Sequence, residues 1–466
     1  MPYGLMALLF YASWLFRPLL PVDETRYLSV AWEMFTRQSF LVPTLNFEPY
    51  FQKPPLLFWL IDLSWAAFGV SRVAAMAVIF AISSLVIFLT GRLAVALFPN
   101  VDGLSARMPW LMLGSVAFVI YSSLILFDLL LAASVLGCFL ALIALSNRGQ
   151  LRYAILAGLC IGLGVLAKGP VVLLHVAFPI LMYPLWRQPV SSLPPGRFFA
   201  RTGLALLIAA AVVATWLVPA LHQVGGDFAY RLVWEQSAGR VAGTAPGAHA
   251  RPFYFYLVLL PVALLPWGLS PGLWATRPWR RLRDRGDVSQ QDFRVLGFLT
   301  AWCIGDLLVF SAISGKQPHY LVPLLPVVAI MFGYFMTNIR LSAITGTAVF
   351  VVAISVIGQA IASDTILYRY DLSPVAEFVA ANRDSKFAFA GRYQGELTFL
   401  ARMDEPFEIL SLSDVDAWLR THPTGYLITK VRRYPDLTES VAYSQLVKNG
   451  YLVVLNGDYS AEANLR

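Results

Sequence analysis

Residues 21–35 read PVDETRYLSVAWEMF. Asp23, Glu24 and Arg26 crowd into this stretch just after an apolar run from about Tyr3 to Leu20. Beyond them, Tyr27, Val30, Ala31, Met34 and Phe35 recur at the spacing of one helix face. This pattern predicts an amphipathic helix lying in a membrane interface, fed by a membrane-embedded helix. The apolar run lacks a basic leader and a small-residue cleavage site, so it reads as an uncleaved span, with Arg17 snorkelling to the interface. Next comes FQKPPLLFWLIDLSWAAFG, residues 51–69, in which Pro54 and Pro55 open a second, short helix.

The rest of the chain enlarges that reading. Of 466 residues, 58% are hydrophobic and 13% charged, with a mean hydropathy of +0.65. A soluble domain carries roughly 25% charged residues. Spans are predicted near 3–20, 73–98, 107–126, 129–146, 153–167, 170–186, 202–221, 252–275, 295–313, 320–337 and 341–363. The expectation is a polytopic α-helical membrane protein with about 11 transmembrane helices, because lipid cannot satisfy free backbone groups.

The net charge of +8 reflects topology rather than nucleic-acid binding. Arginines gather at 148 and 152, at 187, 197 and 201, and at 277, 280, 281, 283, 285 and 294. Positive loops stay in the cytoplasm. The first loop, 21–72, then lies outside, as do the turns at Asp128 and Lys168, the loops 222–251 and 314–320, and the tail. Cys138, Cys160 and Cys303 each sit in an apolar segment, which argues against a disulfide framework or a metal cluster.

The tail, 364–466, reads as a small periplasmic α/β domain appended to a membrane domain of residues 1–363. SKFAFAG, PFEILSL, TGYLITK and YLVVLNG read as short buried strands; SPVAEFVAANR and SDVDAWLRTH read as helices, each opening with a capping Ser.

This topology sends Asp23, Glu24, Arg26, Lys53, Asp128, Lys168, His249, Lys316, His319 and Tyr320 to one membrane face. Ionisable groups at the ends of membrane helices mark a site more often than packing. A transporter would place such groups near the midplane, on broken helices in paired repeats; this chain shows no repeat. A noncatalytic partner would have lost its carboxylates, and Asp23 and Asp128 are both present.

The segment DETRYLSVAWEMFTRQSFLVPTLNFEPYFQKPPLLFWL, residues 23–60, resembles the start of the bacterial aminoarabinose transferases. These transferases modify lipid A, belong to the membrane-embedded GT-C glycosyltransferases and are related to protein O-mannosyltransferases. LFDLLLA, LAKGP, WEQSAGR, AHARPFYFYL, LLPW and SGKQPHYLVPLLP follow in the family's order. The resemblance implies a GT-C fold and transfer of a sugar from a polyprenyl-phosphate carrier, on the periplasmic side of the bacterial inner membrane. The acceptor would be lipid A, another lipid, a glycan or a protein, and no nucleotide sugar is needed there.

Such a reaction needs a carboxylate beside the attacking acceptor and cations around the departing phosphate. Asp23 matches the family's key aspartate, against an alternative as a helix N-cap. Glu24 is either a second site acid or a charge favouring the helix dipole. Asp128 matches another family aspartate. Arg26, Lys53 and Lys168 are donor-phosphate candidates, and the family pattern adds Tyr50 and Tyr320, which could otherwise belong to an interfacial aromatic belt. His249, Lys316 and His319 are candidates for the acceptor or its loop. Where the family has Glu before the Lys of the KPP motif, this chain has Gln52. An amide is a poor ligand for a divalent ion, so no cofactor is certain and a divalent metal is doubtful. The tail looks short for the lipid A enzyme.

Overall fold

The computed structural model describes residues 1–225, 250–275, 288–432 and 440–456. Among them, seven helices are long and apolar enough to cross a membrane: Arg72–Leu97, Asp128–Arg148, Leu151–Lys168, Pro195–Val224, Gln290–Ala312, Pro318–Phe335 and Leu341–Thr365. The chain is a multi-pass membrane protein. The other four expected spans are shorter or broken helices. Near 107–126, for instance, the helix stops at Leu113 and restarts at Val116. The Trp267 ring lies 2.2 Å from where a Cβ on Gly114 would stand, and Ser115 caps the new helix by accepting from Phe118 N. A side chain from elsewhere thus occupies the break.

The N-terminal helix α1 (Pro2–Phe16) leads to α2 (Asp23–Thr36). Helix α2 buries Tyr27, Leu28, Val30, Ala31 and Met34 along one face; of the residues its periodicity marked, Phe35 is only partly buried. Its end carries a two-stranded hairpin, β1 (Thr44–Leu45) with β2 (Glu48–Pro49). The hairpin turn uses positive φ at Asn46 and Phe47, +53° and +64°, which is uncommon for an aromatic residue. The buried Glu33 pins it, accepting from Thr44 Oγ1 at 2.7 Å, Asn46 N at 2.8 Å and Phe47 N at 2.9 Å. Burial pushes the Glu33 carboxyl up, and these three donors pull it partly back. Gln52 and Lys53 follow, ahead of α3 (Leu56–Phe68) and α4 (Arg72–Leu97).

Arg17 does not snorkel. It is buried and ion-paired with the buried Glu24, and it also donates to Ser123 O at 2.6 Å. Glu24 accepts from Leu20 N and Ile125 N, both at 2.9 Å. An apolar environment leaves a charge no cheap alternative to such pairing.

Helices Leu104–Leu113 and Val116–Tyr121 are α5 and α6; α7 (Asp128–Arg148) and α8 (Leu151–Lys168) then form an antiparallel hairpin through Gly149 and Gln150. Gly149 takes φ +62° at the turn. Helix α8 presses on Pro195–Val224 through Gly158 and Gly162, where an added Cβ would come within 2.6 Å of Ala205 O and 2.8 Å of Val212. Small residues four apart permit this approach of two membrane helices.

Beyond the last membrane helix lies a five-stranded sheet in the order β4-β3-β5-β7-β6. Its strands are β3 (Phe387–Ala390), β4 (Glu408–Leu410), β5 (Tyr426–Val431), β6 (Val441–Val447) and β7 (Gly450–Leu455). β3 runs parallel to β4 and β5; β7 is antiparallel to β5 and β6. Helix Ser373–Ala381 covers one face with Val375 and Val379, and Val415–Thr421 covers the other with Trp418 and Leu419. Neither helix has the capping Ser expected of it: the N-caps are Leu372 and Asp414, and neither makes a side-chain cap bond.

The sheet unit rests on α2 and its hairpin. Ser29 Oγ donates to Gly395 O at 2.7 Å and accepts from Phe399 N at 3.0 Å. Trp32 Nε1 donates to Met403 O at 2.7 Å. Asn46 exchanges two bonds of 2.9 Å with the Phe407 backbone, and Phe399 stacks on Trp65 with centroids 5.3 Å apart.

Candidate active site

Because α7 and α8 are antiparallel, the first residue of one meets the last residue of the other. These residues are Asp128 and Lys168, and they form an ion pair with side chains only 3% and 7% exposed. Each charge also suits the dipole of its helix end. Helix α7 runs about 30 Å from here to Arg148 at the opposite, arginine-bearing end.

Other elements converge on the pair. Lys168 Nζ lies 4.8 Å from the centre of the Tyr320 ring, carried by the 3-10 turn Pro318–Leu324. The neighbouring His319 ring packs edge-on against Tyr320. Lys53 Nζ lies 5.8 Å from the Phe127 ring. Lys53, Lys168 and His319 all act on the charge of Asp128, and Asp23 acts on His319.

Asp23 is the first residue of α2 and half exposed. It makes no capping bond; the N-cap is Val22. Its carboxylate accepts from Tyr27 Oη at 3.4 Å and lies 3.9 Å from Arg26 Nη1. Burial, and then the field of Asp23, push the Tyr27 phenol well above its ordinary value, so it remains a hydroxyl donor. Tyr50 and Asp128 also act on Tyr27.

The structure therefore gathers Asp23, Arg26, Tyr50, Lys53, Asp128, Lys168, His319 and Tyr320 into one cluster. Glu24 stands apart, its oxygens engaged by Arg17, Leu20 and Ile125. Lys316 is also set apart: its ammonium closes the turn before it, donating to Arg251 O at 2.9 Å and Ile313 O at 2.5 Å. His249 lies outside the described residues.

Sequence reasoning passed over three residues. Tyr27 carries a usable signal, being one helical turn from Asp23. Glu33 has none, because its role depends on a turn later in the chain. Gln394, in the tail, has none either: its Oε1 accepts from Arg26 Nη2 at 2.6 Å. Gln52 Oε1 accepts from Arg26 Nη1 at 3.0 Å. A guanidinium has only donors, so both amides must present their oxygens to it.

Arg26, Lys53 and Lys168 against Asp23 and Asp128 leave one net positive charge among these five side chains. Nearby, Val116, Ile120, Tyr121, Val262, Leu321 and Val322 line an apolar groove that runs past the neighbours of His319. Cations beside an apolar groove at a membrane surface can hold an anionic lipid by head and chain together.

Known proteins resemble this chain both in sequence and in fold. Residues 52–218 match the family described as dolichyl-phosphate-mannose-protein mannosyltransferase. The chain is 30% identical over 316 residues to an undecaprenyl phosphate-alpha-4-amino-4-deoxy-L-arabinose arabinosyl transferase of Pseudomonas fluorescens, covering 67% of this chain and 52% of that one. It is 31% identical over 330 residues to the same-named protein of Pseudomonas aeruginosa, covering 68% and 55%. The chain thus spans about half the length of these curated relatives. The crystal structure of ArnT from Cupriavidus metallidurans bound to undecaprenyl phosphate superposes with a TM-score of 0.75 at 15% identity, covering 98% of this chain and 97% of that one. By sequence and by fold, the chain belongs with the aminoarabinose-transferase-like GT-C glycosyltransferases.

Proposed function

We propose that this chain is an inverting glycosyltransferase of the bacterial inner membrane. It moves a sugar from a polyprenyl-phosphate donor to a lipid A-like lipid or another envelope acceptor, at a site facing the periplasm. The observation that carries this reading is one cluster of two carboxylates and three cations, assembled from the starts of α2 and α7, the end of α8 and the loop before α3, beside an apolar groove. A donor phosphodiester carries one negative charge, which the net charge of the cluster complements.

In the reaction an acceptor oxygen attacks the anomeric carbon. The bond from that carbon to the phosphate oxygen breaks, and the phosphate leaves with the electron pair. Asp23, exposed and free of capping duty, takes the acceptor proton, and one in-line displacement inverts the anomeric centre. Arg26, Lys53 and Lys168, with Tyr50 and Tyr320, surround the phosphate as its charge grows. Asp128 holds Lys168 in place.

The test is mass spectrometry of extractable lipids, lipid A included, from cells lacking the gene and from cells complemented with the wild type. A sugar-sized mass lost from lipid A and restored by complementation identifies acceptor and sugar together. Unchanged lipid A with a changed glycan or protein moves the acceptor to that class. No change in any envelope fraction removes the reading.

Two further outcomes are expected. Lys53→Ala should raise the donor KM about tenfold by removing a charge-assisted phosphate contact; unchanged KM and kcat make Lys53 an anchor only. A chelator should change the rate less than about twofold, since Gln52 supplies a neutral amide already engaged by Arg26. Activity lost to chelator and restored by a divalent metal contradicts this.

A further inference from the structure

Arg26 is tethered from two sides, by Gln52 of its own loop and by Gln394 of the sheet unit. The second tether comes from 368 positions away, and the segment that delivers it is built to hold its place. Glu396, buried, accepts from Gln394 N at 2.6 Å and from Lys430 Nζ at 2.8 Å. Tyr393 Oη accepts from Leu397 N at 3.2 Å and Thr398 N at 2.9 Å. Gly395, at φ +78°, lets the segment approach α2 so closely that a Cβ would stand 2.4 Å from Leu45 and 3.3 Å from Ser29. Ser29 binds Gly395 and Phe399 on either side of this approach.

We propose that Gln394 is a positioning residue for the donor phosphate, through which the C-terminal sheet unit sets the aim of the Arg26 guanidinium. The inference rests on the reading of Arg26 as a donor-phosphate ligand. Both tethers are uncharged amides, so Arg26 is held in one orientation without being neutralised. Among the described residues its ion-pair partner is Asp23, at 3.9 Å. A carboxylate in place of the Gln394 amide would compete with the phosphate for the same guanidinium. The sheet unit is therefore part of the donor site as well as a cover for α2.

The test is equilibrium binding of undecaprenyl phosphate to the full chain in lipid nanodiscs. Gln394→Glu should weaken binding about tenfold, and Gln394→Ala about threefold to tenfold. In an Arg26→Ala background neither change should alter the remaining affinity more than about twofold, because a residue acting through Arg26 has nothing left to position. Trp32→Phe removes a different bond between α2 and the sheet unit and should leave donor binding unchanged, which separates positioning from general docking. Wild type that binds while Gln394→Glu binds equally well overturns this inference alone. Equal losses in Gln394→Glu with and without Arg26 also overturn it. Wild type that binds no polyprenyl phosphate overturns the donor reading, and this inference with it.

Discussion

Asp23→Asn is expected to lower glycosyl transfer by about 10²- to 10⁴-fold, the usual contribution of a positioned general base, while the protein still inserts and folds. Asparagine has nearly the same shape and still accepts from Tyr27, but it cannot take the acceptor proton. The fold loses little: Asp23 is half exposed, its ion pair with Arg26 is long at 3.9 Å, and it caps nothing. Purified variant and wild type should therefore show the same thermal unfolding and bind donor similarly. Turnover close to wild type would take Asp23 out of the chemistry and leave it as a charge at a helix start.

The adjacent carboxylate should behave in the opposite way. Glu24→Ala is expected to destabilise the protein by about 3–5 kcal/mol, the cost of stranding a buried charge. Arg17 would lose its ion-pair partner in an apolar setting, and Leu20 N and Ile125 N would each lose an acceptor. The measurement is thermal unfolding in detergent beside specific activity per folded molecule. Lower stability with normal specific activity is the expected pair of results. Unchanged stability with lost turnover would return Glu24 to the active site.

That contrast shows where sequence reading stopped. Asp23 and Glu24 are neighbours on a helix, so they point about 100° apart. Hydrophobic periodicity located the helix and its buried face, because one water-shy stripe is printed in the residues themselves. It could not say which of two adjacent acids faces the site, since that depends on what packs around the helix start. Here Arg17 and the backbone of Ile125 claimed Glu24.

The broken span near Gly114 teaches the same lesson. An apolar run of sufficient length reads as one helix, but Trp267, far along the chain, stands against the break and donates to Leu111 O at 2.8 Å. In the tail, by contrast, β3 is buried along its whole length, so its run of apolar residues was readable locally. The approach of the tail to Arg26 was not, because one glutamine among polar neighbours carries no periodic signal.

By itself, then, the sequence determined the membrane class, the amphipathic α2 and the one-sided placement of Asp128 and Lys168. Each follows from local pattern: the length of apolar blocks, one-face periodicity and the residues at block ends. Only the tertiary structure decided which charges meet, that Glu24 braces Arg17 while Asp23 stays open, and that Gln394 reaches Arg26. Those outcomes rest on contacts between residues remote in sequence, which are fixed by how helices and sheet fill space together and cannot be read from any single segment.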